Sequence, residues 1–223
     1  MQGEMQSKAG PMTKERPSSI SEIPDSGRLL ATYVDPSNSF AWPLYDLDFA
    51  PDQLTGADLA APALLSYPVK GDYLNAMGRN DSPYHELVRR MQLVLDAAPQ
   101  EFWAVPRLRL EGVEARGRHD VGIDDAFGRL IACFDQVGEC QGLTSVFVTK
   151  VLHRKRPALV PINDSRLRDF YGVEHRYAPL LVAVHDDVTA HLDLLVELGG
   201  RHTPNIAPLR VLDIVIWMHQ APS

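Results

Sequence analysis

The sequence predicts a mainly α-helical protein that folds as a single-domain bundle of seven to nine helices. Apolar residues recur at helical spacing in several segments, most clearly over 83–97 and 123–134. Helix start and stop signals bound these segments, such as Ser82-Pro83 at a start and two consecutive glycines at an end. Only VPRLRLEGVEA, around residues 105–115, suggests a short pair of strands. A chain of 223 residues is long enough to bury a sizeable core.

The first part of the chain is predicted to lie outside the regular bundle. Residues 1–25 are rich in Ser, Pro, Lys and Glu, which predicts a disordered tail. The single helical domain is then expected to span residues 26–223. At its start, residues 26–55 carry LLATY and FAWPLYDLDF on either side of a polar DPSNS turn. We expect this stretch to cover the core as an irregular lid.

The helices are predicted in order from their apolar periodicity and their boundary residues. In the first part of the domain they are a helix from Thr55 with a kink at Pro62, GDYLNAM, YHELVRRMQLVLDAA after Ser82, and GIDDAFGRLIACFDQV. In the last part they are LTSVFVTKVLHR, RLRDFYG, one long helix over RYAPLLVAVHDDVTAHLDLLVELGG, and IAPLRVLDIVIWMHQ.

Composition excludes several classes of protein. Apolar residues are 45% and charged residues 23%, typical of a globular domain, and the apolar runs are too short to cross a bilayer. The two cysteines fit a reducing compartment, so we expect a cytoplasmic protein with no membrane partner. No P-loop, dinucleotide glycine fingerprint or metal-ligand spacing is present, so the sequence predicts neither a cofactor nor a metal site. The oligomeric state is left open.

Charge is distributed unevenly along the chain. The net charge is −7, which argues against a general nucleic-acid-binding surface. Residues 142–176, however, hold seven basic and three acidic residues, a net charge of +4 that leaves −11 for the rest. A basic segment within an acidic protein marks this stretch as a candidate binding region.

The same segment contains a recognisable order of local signals. A short hairpin around Gly142 joins two predicted helices, and the unpaired amides at the start of the second helix could bind a phosphate. That helix ends in HRKR and is stopped by Pro157. Pro161-Ile162-Asn163-Asp164 then precedes RLRDFYG, so Asn163 or Asp164 is a good N-cap for a new helix.

This order resembles the helix-hairpin-helix, Gly/Pro-Asp (HhH-GPD) superfamily of DNA base-excision glycosylases. In that superfamily a glycine hairpin is followed some twenty residues later by a P-x-x-D element with a catalytic aspartate, and here Gly142 and Asp164 are 22 residues apart. The segment, with the late LRVLDIVIWM helix, is also similar to an uncharacterised actinobacterial family related to that fold. Two departures concern the hairpin. Thr144 stands where the superfamily has a second glycine, and the position of the nucleophilic lysine of the superfamily's bifunctional members corresponds to Ser145 or Val146 in this chain.

The resemblance implies a glycosylase-like bundle that acts as a monofunctional hydrolase in base-excision repair, without a lyase lysine. Asp164 would be the catalytic carboxylate that stabilises positive charge on the sugar. The residues expected to contact DNA are Gly142, Thr144, Ser145, Lys150, Arg154, Lys155 and Arg156. The aromatic residues expected to line a pocket for a flipped base are Trp42, Trp103, Tyr171 and Trp217.

Structural interpretations of the same residues are equally open. Asp164 is also explained as a helix cap, and the HRKR cluster as a complement to the helix dipole. Arg210, Asp213 and Trp217 share one helical face, which favours an internal ion pair beside a core tryptophan. Two further functions therefore stay possible: a nucleic-acid-binding protein without activity, or an enzyme acting on a small nucleoside- or nucleotide-like molecule.

Overall fold

The structure, a computed structural model, describes residues 17–40, 43–46, 50–113, 125–174 and 177–221. Over these ranges it contains helices and connecting segments and no β-strand. The α-helices are α1 (Ser26–Val34), α2 (Gly56–Ala60), α3 (Gly71–Met77), α4 (Pro83–Asp96), α5 (Arg107–Glu111), α6 (Ala126–Val137), α7 (Ser145–Lys155), α8 (Ser165–Tyr171), α9 (Tyr177–Ala190), α10 (Leu192–His202) and α11 (Pro208–His219). Short 3-10 helices span Ile20–Glu22, Ala61–Leu65 and Phe102–Ala104. The predicted mainly α fold is confirmed, with more and shorter helices than expected.

Two groups of helices share one apolar core. In the first, α4 packs along α6, and α7 follows α6 after the hairpin at residues 138–144. In the second, α1 packs against α10 and α11, and α8 contacts α9 and α11. The predicted apolar faces are buried, with Leu87 and Met91 of α4 and Leu130 of α6 fully inaccessible to solvent. The helix starts follow the sequence signals, since the Ser82 hydroxyl accepts a hydrogen bond from the His85 amide.

The N-terminal segment departs from the predicted tail. Residues 17–25 are ordered against the bundle, and Ile20 and Ile23 belong to the core. The Ile20 amide and the Ser19 hydroxyl both donate hydrogen bonds to the buried carboxylate of Asp187 on α9. Two isoleucines and one carboxylate partner are enough to hold a segment whose average composition is polar. The remainder of the predicted tail, residues 1–16, lies outside the described residues.

Two other segments differ from the sequence prediction. Residues 26–34 form α1 and bury Leu30 and Tyr33, so the start of the predicted irregular lid is a helix. The expected strand pair is wrong over 107–111, which forms α5 with Leu110 buried. The helix buries Leu110 in the core, and its arginines pair with carboxylates outside it, Arg107 with Asp186 and Arg109 with Asp125.

The long helix predicted over 176–200 is divided in two over the residues that the structure describes. His191 leaves helical geometry, with φ −124° and ψ 23°, between α9 and α10. Its imidazole lies 2.9 Å from the Ser19 hydroxyl, so the break coincides with the attachment of the N-terminal segment. No local breaker residue marks this position in the sequence.

Two further findings concern the cysteines and the length and polarity of the helices. Cys133 and Cys140 are both buried free thiols. Within the described ranges, the helices are all too short or too polar to cross a membrane.

Candidate functional site

A cavity of about 370 Å³ opens where the two groups of helices meet. Its walls come from α1 and the residues after it, the Ala61–Leu65 3-10 helix, α7, α8 and α11. The charged residues that line it are Lys150, Asp164, Arg166, Arg210 and Asp213. The aromatic residues that line it are Tyr33, Phe40 and Trp217. The volume lies within the range of small-ligand sites, and the wall combines aromatic side chains with several charged and hydroxyl groups.

Asp164 is both a helix cap and a wall of this cavity. The residue is extended at φ −122° and ψ 171°, and its Oδ1 accepts a hydrogen bond of 3.0 Å from the Leu167 amide at the start of α8. The side chain is half-buried and lines the cavity. Helix capping fixes the position of the carboxylate at the start of α8. The capping role is therefore compatible with exposure of the same carboxylate to a ligand.

Asn163, the residue before Asp164, holds the segment between α7 and α8 in place by hydrogen bonds. Asn163 is buried, and its backbone amide donates to the Thr149 hydroxyl at 3.1 Å. Its side-chain Nδ2 donates to the Ser145 hydroxyl at 2.9 Å, and its Oδ1 accepts from Arg168 at 2.6 Å. These bonds tie the segment before α8 to the first half of α7. Ser145, which was predicted to contact DNA, thus holds the backbone that positions Asp164.

Arg210 and Asp213 form the floor of the cavity. The two side chains are buried, and Arg210 Nη1 donates to Asp213 Oδ2 at 2.5 Å, as the spacing on one helical face predicted. Arg210 also makes two hydrogen bonds to the carboxylate of Asp46, at 2.8 and 2.9 Å, and one of 2.9 Å to the Tyr33 hydroxyl. Burial raises the pKa of Asp213 to about 6, with Arg210 opposing the rise and the Asp164 carboxylate adding to it.

Lys150 reaches the cavity from α7. The residue is buried, and its Nζ donates a hydrogen bond of 2.6 Å to the Leu65 carbonyl. Burial lowers the pKa of Lys150, while the Asp164 and Asp213 carboxylates oppose that change. The sequence placed Lys150 in a DNA-contacting cluster, whereas the structure places it beside the two carboxylates of the cavity.

Of the aromatic residues predicted for a pocket, Trp217 lines this cavity. Its indole packs edge-on against Phe40 and Tyr33, with ring centroids 6.0 and 6.3 Å away. Tyr171 lies elsewhere and donates from its hydroxyl to Asp187 Oδ2 at 2.8 Å. Trp103 packs against the core in another part of the fold, and Trp42 lies outside the described residues.

The basic end of α7 faces inward. Arg154 and Lys155 both pair with the buried carboxylate of Asp58, at 2.9 and 3.0 Å. Arg156 pairs with Asp52 at 3.1 Å and donates to the Leu95 carbonyl at 2.8 Å. These three side chains attach the 50–58 segment to α7. The sequence predicted that they meet phosphates, but their charged groups already have protein partners in this structure.

The hairpin before α7 is covered by tyrosines. Gly142 has φ +82°, a left-handed conformation that favours glycine. A Cβ at this position would also collide with the Tyr73 hydroxyl, and the Tyr84 hydroxyl donates to the Gln141 carbonyl at 2.8 Å. Thr144 is exposed and N-caps α7 without a side-chain cap bond. The turn predicted at Gly142 is present, and one face of it is in contact with Tyr73.

The charged residues of the cavity do not form a recognisable metal centre. Across the part of the chain that the structure describes, no group of three or more His, Cys, Asp or Glu side chains converges on a point that could hold a metal ion. Asp164 and Asp213 stand beside cationic groups instead. The arrangement suits charge stabilisation and proton transfer to a bound organic ligand.

Comparison with known proteins gives one match. The model of a protein family described as a family of unknown function (DUF6308) matches residues 26–220. No curated protein and no solved structure matches the chain.

Proposed function

We propose that this chain, which belongs to the family of unknown function DUF6308, hydrolyses the N-glycosidic bond of a small nucleoside-like substrate in the Asp164 cavity. The observation that carries the proposal is the position of Asp164. Its carboxylate is fixed by a helix cap and lines a cavity of about 370 Å³. A carboxylate held in that way is available to stabilise positive charge on a bound sugar.

The chemistry follows from the two carboxylates of the cavity. Cleavage of the bond between the base nitrogen and C1′ leaves positive charge on the sugar ring, which the Asp164 carboxylate stabilises. Asp213 has a pKa raised to about 6 by burial, so it can hold a proton for transfer to the departing base. Water then adds to C1′, and its proton passes to a carboxylate. Two carboxyl groups in different environments are the usual catalytic groups for hydrolysis of a glycosidic bond.

The aromatic wall supplies a place for the base. Tyr33, Phe40 and Trp217 meet in edge-on and stacked contacts on one side of the cavity. Aromatic faces bind nucleobases by stacking, with a tolerance for base identity. The substrate class that fits the wall and the charges together is a nucleoside or nucleotide.

The state of the basic residues favours a small substrate over duplex DNA. Arg154, Lys155 and Arg156, predicted for phosphate contact, are paired with Asp58 and Asp52. The protein as a whole carries a net charge of −7. Affinity for duplex DNA depends on cations that can displace counterions from phosphates, and a ligand enclosed in a cavity needs no such surface.

A DNA glycosylase-like activity is the second candidate. It is favoured by the α6–hairpin–α7 unit with a left-handed Gly142, followed by Asp164 at the start of α8. This is the order that the resemblance to the HhH-GPD superfamily implies. In that case the cavity would receive a base flipped out of DNA. A protein that binds nucleic acid without cleaving it is the third possibility and becomes one outcome of the test.

The test is release of free base, measured by chromatography, from nucleosides, nucleotides and lesion-bearing duplex oligonucleotides. Asp164→Asn should lower the rate by about a hundredfold to a thousandfold, because it removes the charge opposite the sugar. Asparagine is as good an N-cap as aspartate, so the variant should keep its stability within about 1 kcal/mol. Asp169→Asn changes an exposed aspartate of the same helix and should leave the rate unchanged.

The outcomes separate the candidates. Release from nucleosides or nucleotides that depends on Asp164 supports the proposal. Release only from duplex oligonucleotides supports the second candidate, and binding to nucleic acid with no release supports the third. Absence of any release, or release that persists in Asp164→Asn, contradicts a catalytic role for this carboxylate.

A further inference from the structure

We propose that the ligand of the cavity carries an anionic group of the phosphate type, and that Arg166 binds it. The inference rests on the proposed function and narrows its substrate class from nucleosides to nucleotides. The starting observation is that the guanidinium of Arg166, at the cavity wall, makes one hydrogen bond to the described part of the protein.

Arg166 is held in a fixed orientation. Its guanidinium carbon lies 4.1 Å from the centroid of the Trp217 ring, and its Nη1 donates to the Trp217 carbonyl at 2.9 Å. Stacking on an aromatic face fixes the plane of the guanidinium while leaving its edges available. A guanidinium offers five N–H donors, and the contact with the Trp217 carbonyl uses one of them. The group is half-buried, so a ligand in the cavity can reach it.

The second guanidinium of the cavity provides the contrast. Arg210 is bonded to the carboxylates of Asp46 and Asp213 and to the Tyr33 hydroxyl, so its charge is balanced within the protein. Arg166 has no carboxylate partner anywhere in the described ranges, although it stands two residues after Asp164. A fixed cation beside a ligand-sized space, without a protein anion, favours an anion on the ligand.

The surroundings of Arg166 also suit a phosphate. The side chains of Ser39, Ser66 and Ser165 line the same cavity and are exposed, so their hydroxyls can donate to further oxygens. The phosphate of a nucleoside 5′-monophosphate lies on the far side of the ribose from the base. Such a molecule can place C1′ against Asp164 while its phosphate reaches Arg166, because both residues line the same cavity.

The experiment compares calorimetric binding of a nucleoside and its 5′-monophosphate, with the base chosen from the activity screen. A charge-assisted contact predicts that the monophosphate binds about tenfold to a hundredfold more tightly, with the advantage shrinking at high salt. Arg166→Gln should abolish that advantage while leaving nucleoside affinity within about twofold. Arg201→Gln removes an exposed arginine on α10, away from the cavity, and should preserve it.

Two further arms make the result decisive. A purely structural role for the Arg166–Trp217 stack predicts that Arg166→Gln weakens both ligands equally and lowers the melting temperature. Equal binding of nucleoside and monophosphate by the unaltered protein overturns the inference, even if nucleoside hydrolysis supports the proposed function. Inorganic phosphate and acetate, titrated separately, test the anion site without a base. Phosphate binding that is lost in Arg166→Gln supports the phosphate assignment. A preference for acetate indicates a carboxylate ligand and overturns that assignment, and so does the absence of binding by either anion.

Discussion

Two buried charge networks attach the segment before α3 to the helices, and they differ in what can reach them. In the Asp58 network, the carboxylate of Asp58 pairs with Arg154 and Lys155 at the end of α7. In the Arg210 network, the guanidinium of Arg210 on α11 pairs with Asp46 and Asp213. The Asp58 network is enclosed by protein, whereas Arg210 and Asp213 line the cavity.

The difference shows that burial of charge alone does not identify a functional site. Both networks take charges out of water, and both are stable only because the charges are paired and hydrogen-bonded. In the Asp58 network each charged group is paired inside the protein and away from the cavity, so the effect of the network is on folding. The Arg210 network has the same chemistry beside an open space, and there the charges of Asp213, Lys150 and Asp164 can also act on a ligand.

The largest expected effect comes from removing the carboxylate of the Asp58 network. Asp58→Ala removes the buried carboxylate with which both Arg154 and Lys155 pair, and we expect it to reduce the free energy of unfolding by about 3–5 kcal/mol. Chemical denaturation followed by circular dichroism measures this change. Asp52→Ala removes an 82%-exposed carboxylate that pairs with Arg156, and it should cost less than about 1 kcal/mol. A small effect at both positions would show that the Asp58 network is not sealed from water.

The second prediction uses pH to separate the networks. Burial raises the folded-state pKa of Asp213 to about 6, so the folded protein binds this proton more tightly than the unfolded chain does. Stability from this group is therefore present below about pH 4 and is lost as pH rises toward about 6, a change of order 3 kcal/mol. Asp213→Asn cannot titrate, so stability of the unaltered protein relative to this variant should fall over that interval.

The Asp58 network should show the opposite sign. Burial acts to raise the pKa of Asp58, but hydrogen bonds from Thr55, Lys155 and Arg154 outweigh it, and the net pKa is lowered. Stability from Asp58 is thus present above the ordinary carboxyl range and is lost as pH falls below that range. Relative to Asp58→Asn, the unaltered protein should gain stability as pH rises. Slopes of the same sign for the two variants would remove the electrostatic distinction between the networks.

The sequence predicts what local signals determine. The Asp164 cap, the Ser82 cap and the Arg210–Asp213 pair at i, i+3 each depend on residues within one turn of helix, and each is confirmed. Gly142 was likewise expected in a turn, and its left-handed φ agrees with this expectation. Local patterns carry enough information for such features because the interacting groups are neighbours along the chain.

The parts that the sequence did not predict depend on distant partners. Asp46 meets Arg210 across 164 positions of sequence, and the HRKR cluster is directed inward by Asp58, 96 positions before Arg154. No periodicity marks such pairs, so the sequence predicts a surface position for this basic run, and the partners that direct it inward are visible only in the structure. Tyr33 and Phe40 were missed as cavity residues for the same reason, since their position depends on packing against Trp217 of α11.

The smallest expected effect comes from a comparison of two tyrosines that both lie beside Arg210. Tyr45 and Tyr33 both lie beside the Arg210 guanidinium, with ring centroids 5.0 and 5.5 Å from its carbon. The Tyr45 hydroxyl is fully buried and donates to the Lys150 carbonyl at 2.5 Å. Tyr45→Phe should cost about 1–1.5 kcal/mol in the free energy of unfolding, because no water can replace the lost hydrogen bond.

Tyr33→Phe removes a hydroxyl that accepts from Arg210 at the cavity wall. Arg210 Nη2 keeps its bond to Asp46 at 2.9 Å, and water in the cavity can take the place of the hydroxyl, so the cost should stay below about 0.5 kcal/mol. Parallel denaturation of the two variants measures the contrast. If Tyr33→Phe costs as much as Tyr45→Phe, water does not reach Arg210. The Arg210 network would then be as closed as the Asp58 network, and the cavity would lose the access that the proposed chemistry requires.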